Sequence, residues 1–347
     1  MDSGKGEVKV KEHLASVVNR FAGTKVAVLA DLVLDEFVHG EIARVSREAP
    51  VLIIDYRRTD AMPGGGANAV NNLRSLGGRP VPVGVVGDDD AGRRLIDLME
   101  EAGVDTTAVT RLAGYATPTK TRVLAGLPHS RAQQVIRIDR GSSGSVPLQA
   151  AEAAVERARG LLTQDVKALL ISDYGYNLVT PGTVRPLSAE ARRMKITVAC
   201  DSRHRLREFG GVTAVTPNLE EAEELLGMRL DDGHARLDEA GRRLMESLAC
   251  HAVLITRGSR GMTLLEDGVK PFDIPVHGSD QVADVTGAGD TVIAAFTLAL
   301  AAGATFRLAA MLANIAAGIV VMKRGTATVT SAELRQAIEN LPAPGPA

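Results

Sequence analysis

The stretch Asp284-Val285-Thr286-Gly287-Ala288-Gly289-Asp290-Thr291, followed by the apolar run 292–301, decides the fold and chemistry predicted for this chain. Two glycines precede an apolar helical segment, and the first turn of a helix offers unpaired backbone N–H groups and a partly positive dipole end to an anion. Glycines at 287 and 289 leave those amides open to a phosphate. Asp290 has two interpretations, a helix N-cap or a carboxylate that acts on a substrate hydroxyl. The stretch alone leaves both open.

The length suits one large α/β domain or two small ones, and we expect a single domain over residues 1–347. The chain has 347 residues, of which 45% are hydrophobic and 24% charged. A net charge of −2 gives no basic surface for nucleic acid or an anionic membrane. The N-terminus lacks a signal-peptide core, no apolar run is long enough to cross a bilayer, and the isolated Cys200 and Cys250 fit a reducing compartment. We therefore expect a cytoplasmic enzyme with neither a nucleic-acid nor a membrane partner.

Strand and helix patterns alternate along most of the chain, as in a mostly parallel sheet. The segment Lys25–Ala30 has the pattern of a buried strand that ends at Asp31, and Asp35 follows shortly after. Ligands bind outside the carboxyl ends of strands in open α/β sheets, so both aspartates are candidates for binding hydroxyl groups. Loop or capping aspartates are the alternative.

Two helix-free excursions interrupt this alternation. Strand-like pieces at 38–45 and 51–56 form one pair, and pieces at 119–125 and 133–139 form the other. They predict a small β-sheet inserted into the larger fold, spanning approximately residues 36–62 and 114–140. A lid over a site is the natural use of such a sheet. A surface hairpin or a dimerisation sheet is the alternative.

A second glycine-rich segment, Pro63-Gly64-Gly65-Gly66-Ala67-Asn68, begins the next helix. Three consecutive glycines exceed what a turn needs, which indicates close approach of a ligand to the backbone. Asn68, Asn71 and Asn72 share one helix face, and a solvated face is the alternative interpretation.

The motifs of other nucleotide-binding proteins are missing from the sequence. It contains no GxxxxGK run followed by Ser or Thr, and the glycines at 287 and 289 lack the third glycine of the dinucleotide-binding fingerprint. The protein-kinase motifs are absent as well. These patterns disfavour a P-loop NTPase, an NAD-dependent dehydrogenase and a protein kinase.

Four motifs in order resemble the ribokinase-like (PfkB) carbohydrate kinase family from about Lys25 to Thr330. They are the segments 63–68 and 284–290 quoted above, Thr216-Pro217-Asn218-Leu219-Glu220-Glu221 and Thr256-Arg257-Gly258-Ser259-Arg260-Gly261. The resemblance implies a three-layer α/β fold with a mostly parallel central sheet and a small inserted β-sheet lid. It also implies an ATP-dependent carbohydrate kinase with ATP and Mg²⁺ as cofactors and a homodimer formed through the lid.

Within the family the chain is most similar to the D-glycero-β-D-manno-heptose 7-phosphate kinases. The similarity rests on segments 44–51, 119–124, 133–139 and 172–174. It implies phosphorylation of that sugar phosphate to the 1,7-bisphosphate, without a nucleotidyltransferase half, since the chain ends soon after Thr330. Arg203 and Tyr176 stand where these kinases usually carry lysines. A kinase for another sugar or a nucleoside and a catalytically silent sugar- or nucleotide-binding regulator are the alternatives.

The resemblance also implies the role of each candidate residue. Asp290 would accept the proton of the sugar hydroxyl, while the amides of Gly287, Ala288 and Gly289 form an anion hole. The expected sugar contacts are Asp31, Asp35, Gly65, Gly66, Asn68 and Asp173. The cations expected to bind a substrate phosphate are Arg44, Lys120, Arg122, Arg137 and Arg203. The expected ATP contacts are Asn218, Glu221, Thr256, Arg257, Gly258, Gly261 and Asn314. Glu221 would bind Mg²⁺ through water, and a potassium site near Asp284 and Gly325 is a further implication.

Overall fold

The computed structural model describes residues 3–127, 132–141, 145–230, 234–278, 284–323 and 325–341. The tail expected at 342–347 lies outside them. The strands in this part of the chain are β1 (Lys25–Ala30), β2 (Leu32–Val45), β3 (Leu52–Gly65), β4 (Arg79–Val83), β5 (Val85–Gly87), β6 (Thr110–Leu112), β7 (Thr119–Gly126), β8 (Gln133–Arg140), β9 (Ala168–Asp173), β10 (Thr197–Ser202), β11 (Ala214–Val215), β12 (Ala252–Thr256), β13 (Met262–Glu266) and β14 (Val269–Ile274). The α-helices are α1 (Ser3–Asn19), α2 (Gly66–Ser75), α3 (Asp90–Glu101), α4 (Leu148–Leu162), α5 (Pro181–Arg193), α6 (Leu219–Leu226), α7 (His234–Leu248), α8 (Ala288–Ala301), α9 (Phe306–Val320) and α10 (Ser331–Glu339).

The central sheet has eight strands in the order β14-β13-β12-β11-β10-β9-β1-β4. Neighbouring strands from β4 to β12 run parallel, whereas β13 and β14 form an antiparallel extension at one edge. This arrangement confirms the predicted mostly parallel sheet. It brings the carboxyl ends of β1, β9 and β10 to one edge, where a ligand binds in folds of this type.

Helices cover both faces of this sheet. Alternate residues of β1 point to opposite faces: Val26 and Val28 join a core that contains Phe296 of α8, while Ala27 and Leu29 join a core under α4, α5 and α7. A strand buried on both faces has no polar alternation, which explains why Lys25–Ala30 is almost continuously apolar. The result is the expected three-layer α/β fold.

A separate four-stranded sheet, in the order β3-β2-β7-β8, forms the predicted insertion. Its outer pairs are antiparallel and its central pair, β2 with β7, is parallel. The strands β2 and β3 are longer than expected, so that Asp35 lies inside β2, opposite Lys120 of β7, and not in a loop. We call this four-stranded sheet the lid sheet.

Some elements were not predicted. Strand β6 and helix α10 were missed, and the single strand predicted at 81–86 is divided into β4 and β5. Helix α10 begins with a capping box between Thr330 and Glu333, a signal that the prediction did not use. Among the described residues, no helix has the length and apolar character needed to span a bilayer. Both cysteines are buried and unpaired, as expected.

Candidate active site

The turn before α8 places an aspartate beside the backbone amides of Gly287 and Gly289. The amide of Ala288, which was predicted to join them in an anion hole, instead donates to the carbonyl of Val285 at 3.2 Å. Gly287 is the N-cap of α8 and has a φ angle of 78°, a conformation that favours glycine. A Cβ atom on Gly287 would lie 2.6 Å from Nδ2 of Asn68, whereas one on Gly289 would meet nothing within 4 Å. Because Gly287 caps the helix, the N-cap interpretation of Asp290 is wrong. Asp290 belongs to the first turn and is 3% exposed.

Two donors hold the carboxylate of Asp290. The hydroxyl of Tyr174 donates to Oδ1 at 2.6 Å, and Nδ2 of Asn68 donates to Oδ2 at 2.9 Å. Burial raises the pKa of Asp290 to about 6, although these two hydrogen bonds and nearby Arg203 lower it. The carboxylate is therefore mostly ionised at neutral pH, and its pKa is higher and closer to neutrality than that of an exposed aspartate.

The asparagines of α2 support this carboxylate from within the protein. Asn68 and Asn72 are fully buried, so the predicted contact between Asn68 and a sugar is replaced by its contact with Asp290. Asn72 donates to Oδ1 of Asn68 at 3.1 Å and accepts a hydrogen bond from the hydroxyl of Thr291. The solvated-face interpretation fails for both residues, because their amides form a hydrogen-bonded chain that ends at Asp290.

Two aspartates expected to bind sugar are instead occupied by the protein. The carboxylate of Asp31 is 3% exposed and accepts hydrogen bonds from the backbone N–H groups of Tyr174, Tyr176 and Leu178. Burial raises the pKa of Asp31 to about 6. The structure thus gives Asp31 the task of shaping the loop that carries Tyr174.

Asp173 is likewise saturated. It is 1% exposed, forms an ion pair of 2.7 Å with Arg205, and accepts from the hydroxyl of Ser202 at 2.7 Å. Sequence reasoning missed Arg205, because no motif distinguishes it from the neighbouring cations at 203 and 207. Both aspartates, which were predicted to contact the sugar, are almost completely buried and bonded within the protein, and neither is among the residues that line the cavities described below.

The glycines at 64–66 are explained by packing between strands. A Cβ atom on Gly64 would lie 2.6 Å from Cγ of Asp35, and one on Gly66 would lie 2.5 Å from Cβ of Ala30. Gly65 has a φ of 53°, and its Cβ would meet Val33 at 2.7 Å. The close approach predicted for a ligand is therefore made by β1 and β2, and Gly65 and Gly66 are not among the residues that line the cavities described below.

The cations predicted to bind a substrate phosphate fall into two groups. Arg122 forms an ion pair of 2.8 Å with Asp35, whose other oxygen accepts from the hydroxyl of Thr326. Arg137 pairs with Asp139 at 2.8 Å. Arg44 is exposed near the far end of β2, about 30 Å along the strand from Asp35 at ~3.3 Å per residue. The structure therefore does not bring Arg44 to the site within one chain.

Lys120 and Arg203 form the second group. Nζ of Lys120 lies 5.0 Å from the ring centroid of Tyr174, and the guanidinium carbon of Arg203 lies 4.6 Å from it. Within the described part of the chain, neither has an ion pair with a carboxylate. Burial and the charge of Arg203 lower the pKa of Lys120. Two neighbouring positive charges repel each other, and an anion bound between them relieves this repulsion.

A cavity of about 610 Å³ joins the motifs that lie far apart in the sequence. Its lining comprises Arg122, Tyr174, Asp201, Arg203, His204, Thr216, Asn218, Glu220, Glu221, Glu224, Thr256, Val285, Thr286, Gly287, Gly289 and Asp290. Asp201 was not predicted as a site residue. Burial, Glu221 and Asp290 raise its pKa to about 8. A strongly perturbed carboxyl group in a cleft was detectable only after folding brought the three acids together.

The predicted Asn-x-x-Glu motif is a capping box at the start of α6. The side chain of Asn218 accepts from the amide of Glu221 at 2.8 Å, and Glu221 accepts from the amide of Asn218 at 2.8 Å. One oxygen of Glu221 is thereby fixed, while the residue still lines the cavity. Among the described residues, no group of three or more His, Cys, Asp or Glu is placed to hold a metal ion directly. Binding of Mg²⁺ through water remains compatible with this arrangement.

A second cavity, of about 340 Å³, lies beside the same helix turn. It is lined by Thr256, Gly258, Ser259, Gly261, Met262, Val276, Val285, Ala288, Gly289, Val292, Asn314, Ala317, Gly318 and Val321. Asn314 is 5% exposed and donates to the carbonyl of Pro275 at 2.8 Å, which leaves its own oxygen as an acceptor at the wall. The mostly apolar wall suits a flat heterocycle. Arg257 instead pairs with Asp273 at 3.1 Å and does not line either cavity.

Together the fold and the site define a phosphotransferase of the α/β class. A buried carboxylate and an open helix N-terminus meet at the wall that separates a polar cavity from an apolar one. This is the arrangement needed to bring a hydroxyl group and a nucleotide phosphate together.

The family model of the pfkB family carbohydrate kinases matches residues 33–333, and the chain belongs to this family. It is therefore an ATP-dependent kinase that phosphorylates a carbohydrate, as the sequence predicted. A bifunctional protein HldE from Desulfatibacillum aliphaticivorans is 37% identical over 326 residues, 94% of this chain and 65% of that protein. The HldE protein of Azotobacter vinelandii is 40% identical over 92% of this chain and 65% of its own length. The chain thus spans about two thirds of the curated relatives it matches.

Solved structures confirm the fold. The ribokinase of Arabidopsis thaliana, in a complex with ribose and ATP, superposes with a TM-score of 0.71 at 19% identity over 91% of this chain and 99% of that one. Phosphofructokinase-2 from Escherichia coli, in a complex with potassium, gives a TM-score of 0.72 at 16% identity over 91% and 98%. The predicted ribokinase-like fold with a small separate sheet is confirmed.

Proposed function

We propose that this kinase transfers the γ-phosphoryl group of ATP to a sugar that already carries a phosphate, specifically D-glycero-β-D-manno-heptose 7-phosphate, giving the 1,7-bisphosphate. The observation that carries the proposal is the pair of cations Lys120 and Arg203, which lie beside the catalytic carboxylate without a carboxylate partner among the described residues. A neutral sugar gives no compensation for the buried charge of Lys120, whereas a phosphate on the acceptor does. Arg203 is exposed and adds a second positive charge at the cavity that contains Asp290. The HldE relatives support heptose as the sugar.

The two cations have different surroundings and therefore different proposed roles. Arg203 lines the cavity that also contains Gly287 and Gly289, which suits contact with the phosphoryl group in transfer. Lys120 belongs to β7 of the lid sheet, opposite Asp35, on the side where an acceptor would be covered. We assign Lys120 to the phosphate of the acceptor. Arg122 then orients Asp35, and Asp35 is the remaining predicted aspartate with a role at the sugar.

The proposed reaction needs one proton acceptor and one anion site. The acceptor hydroxyl transfers its proton to Asp290 while its oxygen forms a bond to the γ-phosphorus, and the bond from that phosphorus to the oxygen of ADP breaks. The open amides at the start of α8 stabilise the charge on the moving group. A weak base suffices, because a loose transition state asks it chiefly to orient the nucleophile.

ATP is proposed to lie across the two cavities, with its base against Asn314 and its phosphates toward Gly287 and Gly289. Glu221 would hold Mg²⁺ through water, since one of its oxygens is already bonded to the backbone. The ion would neutralise phosphate charge. A potassium site is proposed near Asp284, whose two carboxylate oxygens accept from the amides of Thr286 and Gly325 and so order that loop.

The lid sheet is proposed to form a homodimer. Every residue of its edge strand β8 is exposed, including the apolar Ile136 and Ile138 at 53% and 47%. Tyr56 of β3 is 64% exposed. An edge strand with exposed apolar side chains is a site for pairing with another chain. A second copy of this chain is the occupant we propose.

An acceptor panel with coupled detection of ADP tests the substrate. Heptose 7-phosphate, fructose 6-phosphate, free ribose and adenosine are compared at equal concentrations, and heptose 7-phosphate is expected to give the highest kcat/KM. Strong turnover of ribose or adenosine without turnover of heptose 7-phosphate would refute the proposal.

Two variants then test the assigned roles. Asp290→Asn should reduce kcat by a factor of about 10² or more while ATP binding is retained, since base catalysis contributes about 10²–10⁴. Lys120→Gln should raise KM for the acceptor phosphate about tenfold and leave KM for ATP nearly unchanged. The matched control is Arg57→Gln, an exposed lid-sheet cation paired with Glu41, which should behave as wild type. An equal effect of both substitutions would remove the specific role of Lys120.

A further inference from the structure

Tyr174 makes a contact that the reaction described above does not use. Its hydroxyl lies 2.6 Å from Oδ1 of Asp290, the shorter of the two hydrogen bonds that this carboxylate receives from side chains. Burial and the charge of Asp290 raise the pKa of Tyr174 well above its ordinary value. The hydroxyl therefore keeps its proton over the working pH range and always acts as the donor in this pair.

Four separate parts of the protein hold this tyrosine in place. Its backbone N–H donates to the buried carboxylate of Asp31 at 3.0 Å, which fixes the chain at the end of β9. Lys120 and Arg203 contact the ring. The ring edge packs against the backbone of Gly65, where a Cβ atom would lie 3.3 Å from Cδ2 of Tyr174. A side chain fixed by two cations, a carboxylate and a strand keeps one position.

We propose that Tyr174 is the positioning residue of the catalytic base: together with Asn68 it fixes the orientation of the Asp290 carboxylate and keeps it in the charged form. An ionised carboxylate has about four acceptor sites, so an acceptor hydroxyl can still reach Asp290 while Tyr174 and Asn68 remain bound. This inference rests on the proposed role of Asp290 as base.

The other charged groups around Asp290 act in opposite directions. Arg203, at the end of β10, favours its ionised form, while Asp35 of β2 disfavours it. Arg122 of β7 and Asp201 of β10 line the same cavity. Their opposing charges leave the neutral donors Tyr174 and Asn68 as the groups that hold the carboxylate by direct hydrogen bonds.

Tyr174→Phe is the decisive variant, because it removes the hydroxyl and retains the ring between Lys120 and Arg203. Loss of a hydrogen bond to a charged group should raise the pKa of Asp290 by about one unit, a tenfold change in proton affinity. The acid limb of the kcat profile should move up by the same amount. The rate should then fall about fivefold at pH 6, where the ionised fraction of Asp290 drops from about one half to about one tenth, and recover most of the loss at pH 8.5. The matched control is Tyr115→Phe, a buried tyrosine of the core that faces Asp31.

The titration is measured without substrate, by carbon NMR of protein labelled at the aspartate carboxyl groups. Asp290→Asn identifies the signal. The expected result is a higher midpoint for Asp290 in Tyr174→Phe and an unchanged midpoint in Tyr115→Phe. An unchanged midpoint in Tyr174→Phe, or a rate that falls equally at every pH, would overturn the inference. If Asp290→Asn retained its rate, the proposed role of Asp290 as base would fail, whereas the NMR midpoint would still report on the contact with Tyr174.

Discussion

Substitution of alanine for Gly287 or for Gly289 should affect stability and catalysis to different extents. In Gly287→Ala the backbone of the alanine would have to adopt a φ of 78°. Its Cβ atom would lie 2.6 Å from Nδ2 of Asn68 and 3.0 Å from Cγ2 of Thr326. The left-handed conformation costs an alanine about 1–2 kcal/mol, and relief of the contact must displace Asn68 from Asp290. We expect a loss of about 2–3 kcal/mol in unfolding free energy. This corresponds to a few degrees in Tm for a chain of this size.

The same substitution should reduce catalysis beyond its effect on stability. Asn68 donates to Oδ2 of Asp290 at 2.9 Å, so a shift of Asn68 releases one side of the carboxylate. A displacement of about 1 Å at a reacting group costs on the order of 10² in rate. The expected kcat of Gly287→Ala is therefore about one hundredth of wild type at a temperature where the variant remains folded.

Gly289→Ala is the matched comparison. Its Cβ would meet no protein atom within 4 Å and would extend toward the two cavities that Gly289 lines. Helix propensity favours alanine by about 0.8–1 kcal/mol, so stability should be equal or slightly higher. ATP binding should weaken at least tenfold, because the methyl group occupies space next to the open amides. Chemical denaturation and calorimetric ATP titration provide the two measurements. Equal stability of both variants, or normal ATP affinity in Gly289→Ala, would refute this account of the turn.

Three further predictions concern separate parts of the molecule. Glu221→Gln keeps an acceptor for the capping box of α6 but removes the negative charge of the side chain. The concentration of Mg²⁺ that gives half-maximal rate should rise about tenfold while Tm changes little. A large drop in Tm would show that the charge mainly stabilises the fold. The pKa of Asp201 is raised to about 8 from 3.8, so its favourable contribution to stability is full below 3.8 and is lost as pH rises through 8. In Mg²⁺-free buffer, Asp201→Asn should therefore gain in Tm relative to wild type between pH 5 and pH 9, and a constant difference would contradict this. The double substitution of Ile136 and Ile138 by Glu should convert a dimer to a monomer in sedimentation, and an unchanged mass would exclude β8 from the interface.

Most of the scaffold could be predicted from the sequence because its signals are local. The apolar run Lys25–Ala30 and the helices of the alternating region follow from periodicity alone. The order of the motifs also identified the family, which the family model confirms. The glycine turn before α8 was placed correctly, because glycine is favoured at a positive φ and an apolar helical run follows it directly in the sequence.

The partners of polar side chains could not be predicted in the same way. Asn68 was expected to bind a sugar, yet it donates to Asp290, which is far from it in sequence. Asp31 and Asp173 were assigned to the substrate, but backbone amides and Arg205 occupy their oxygens. An aspartate looks the same in the sequence whether its oxygens accept hydrogen bonds from a ligand or from the protein. Only the fold shows which acceptors remain open.

Under the proposed roles, a negatively charged base, Asp290, and a negatively charged phosphate share the N-terminus of α8. At an effective dielectric constant of about 20, two unit charges 4 Å apart repel by about 4 kcal/mol, which would oppose phosphate binding beside an ionised Asp290. Asn68 and Tyr174 stabilise the carboxylate by hydrogen bonds, but neither carries a positive charge that would offset it. Arg203 lines the same cavity and favours the ionised form of Asp290, so one side chain can offset both anions. The proposed roles therefore need a cation at position 203, and Arg203 supplies it.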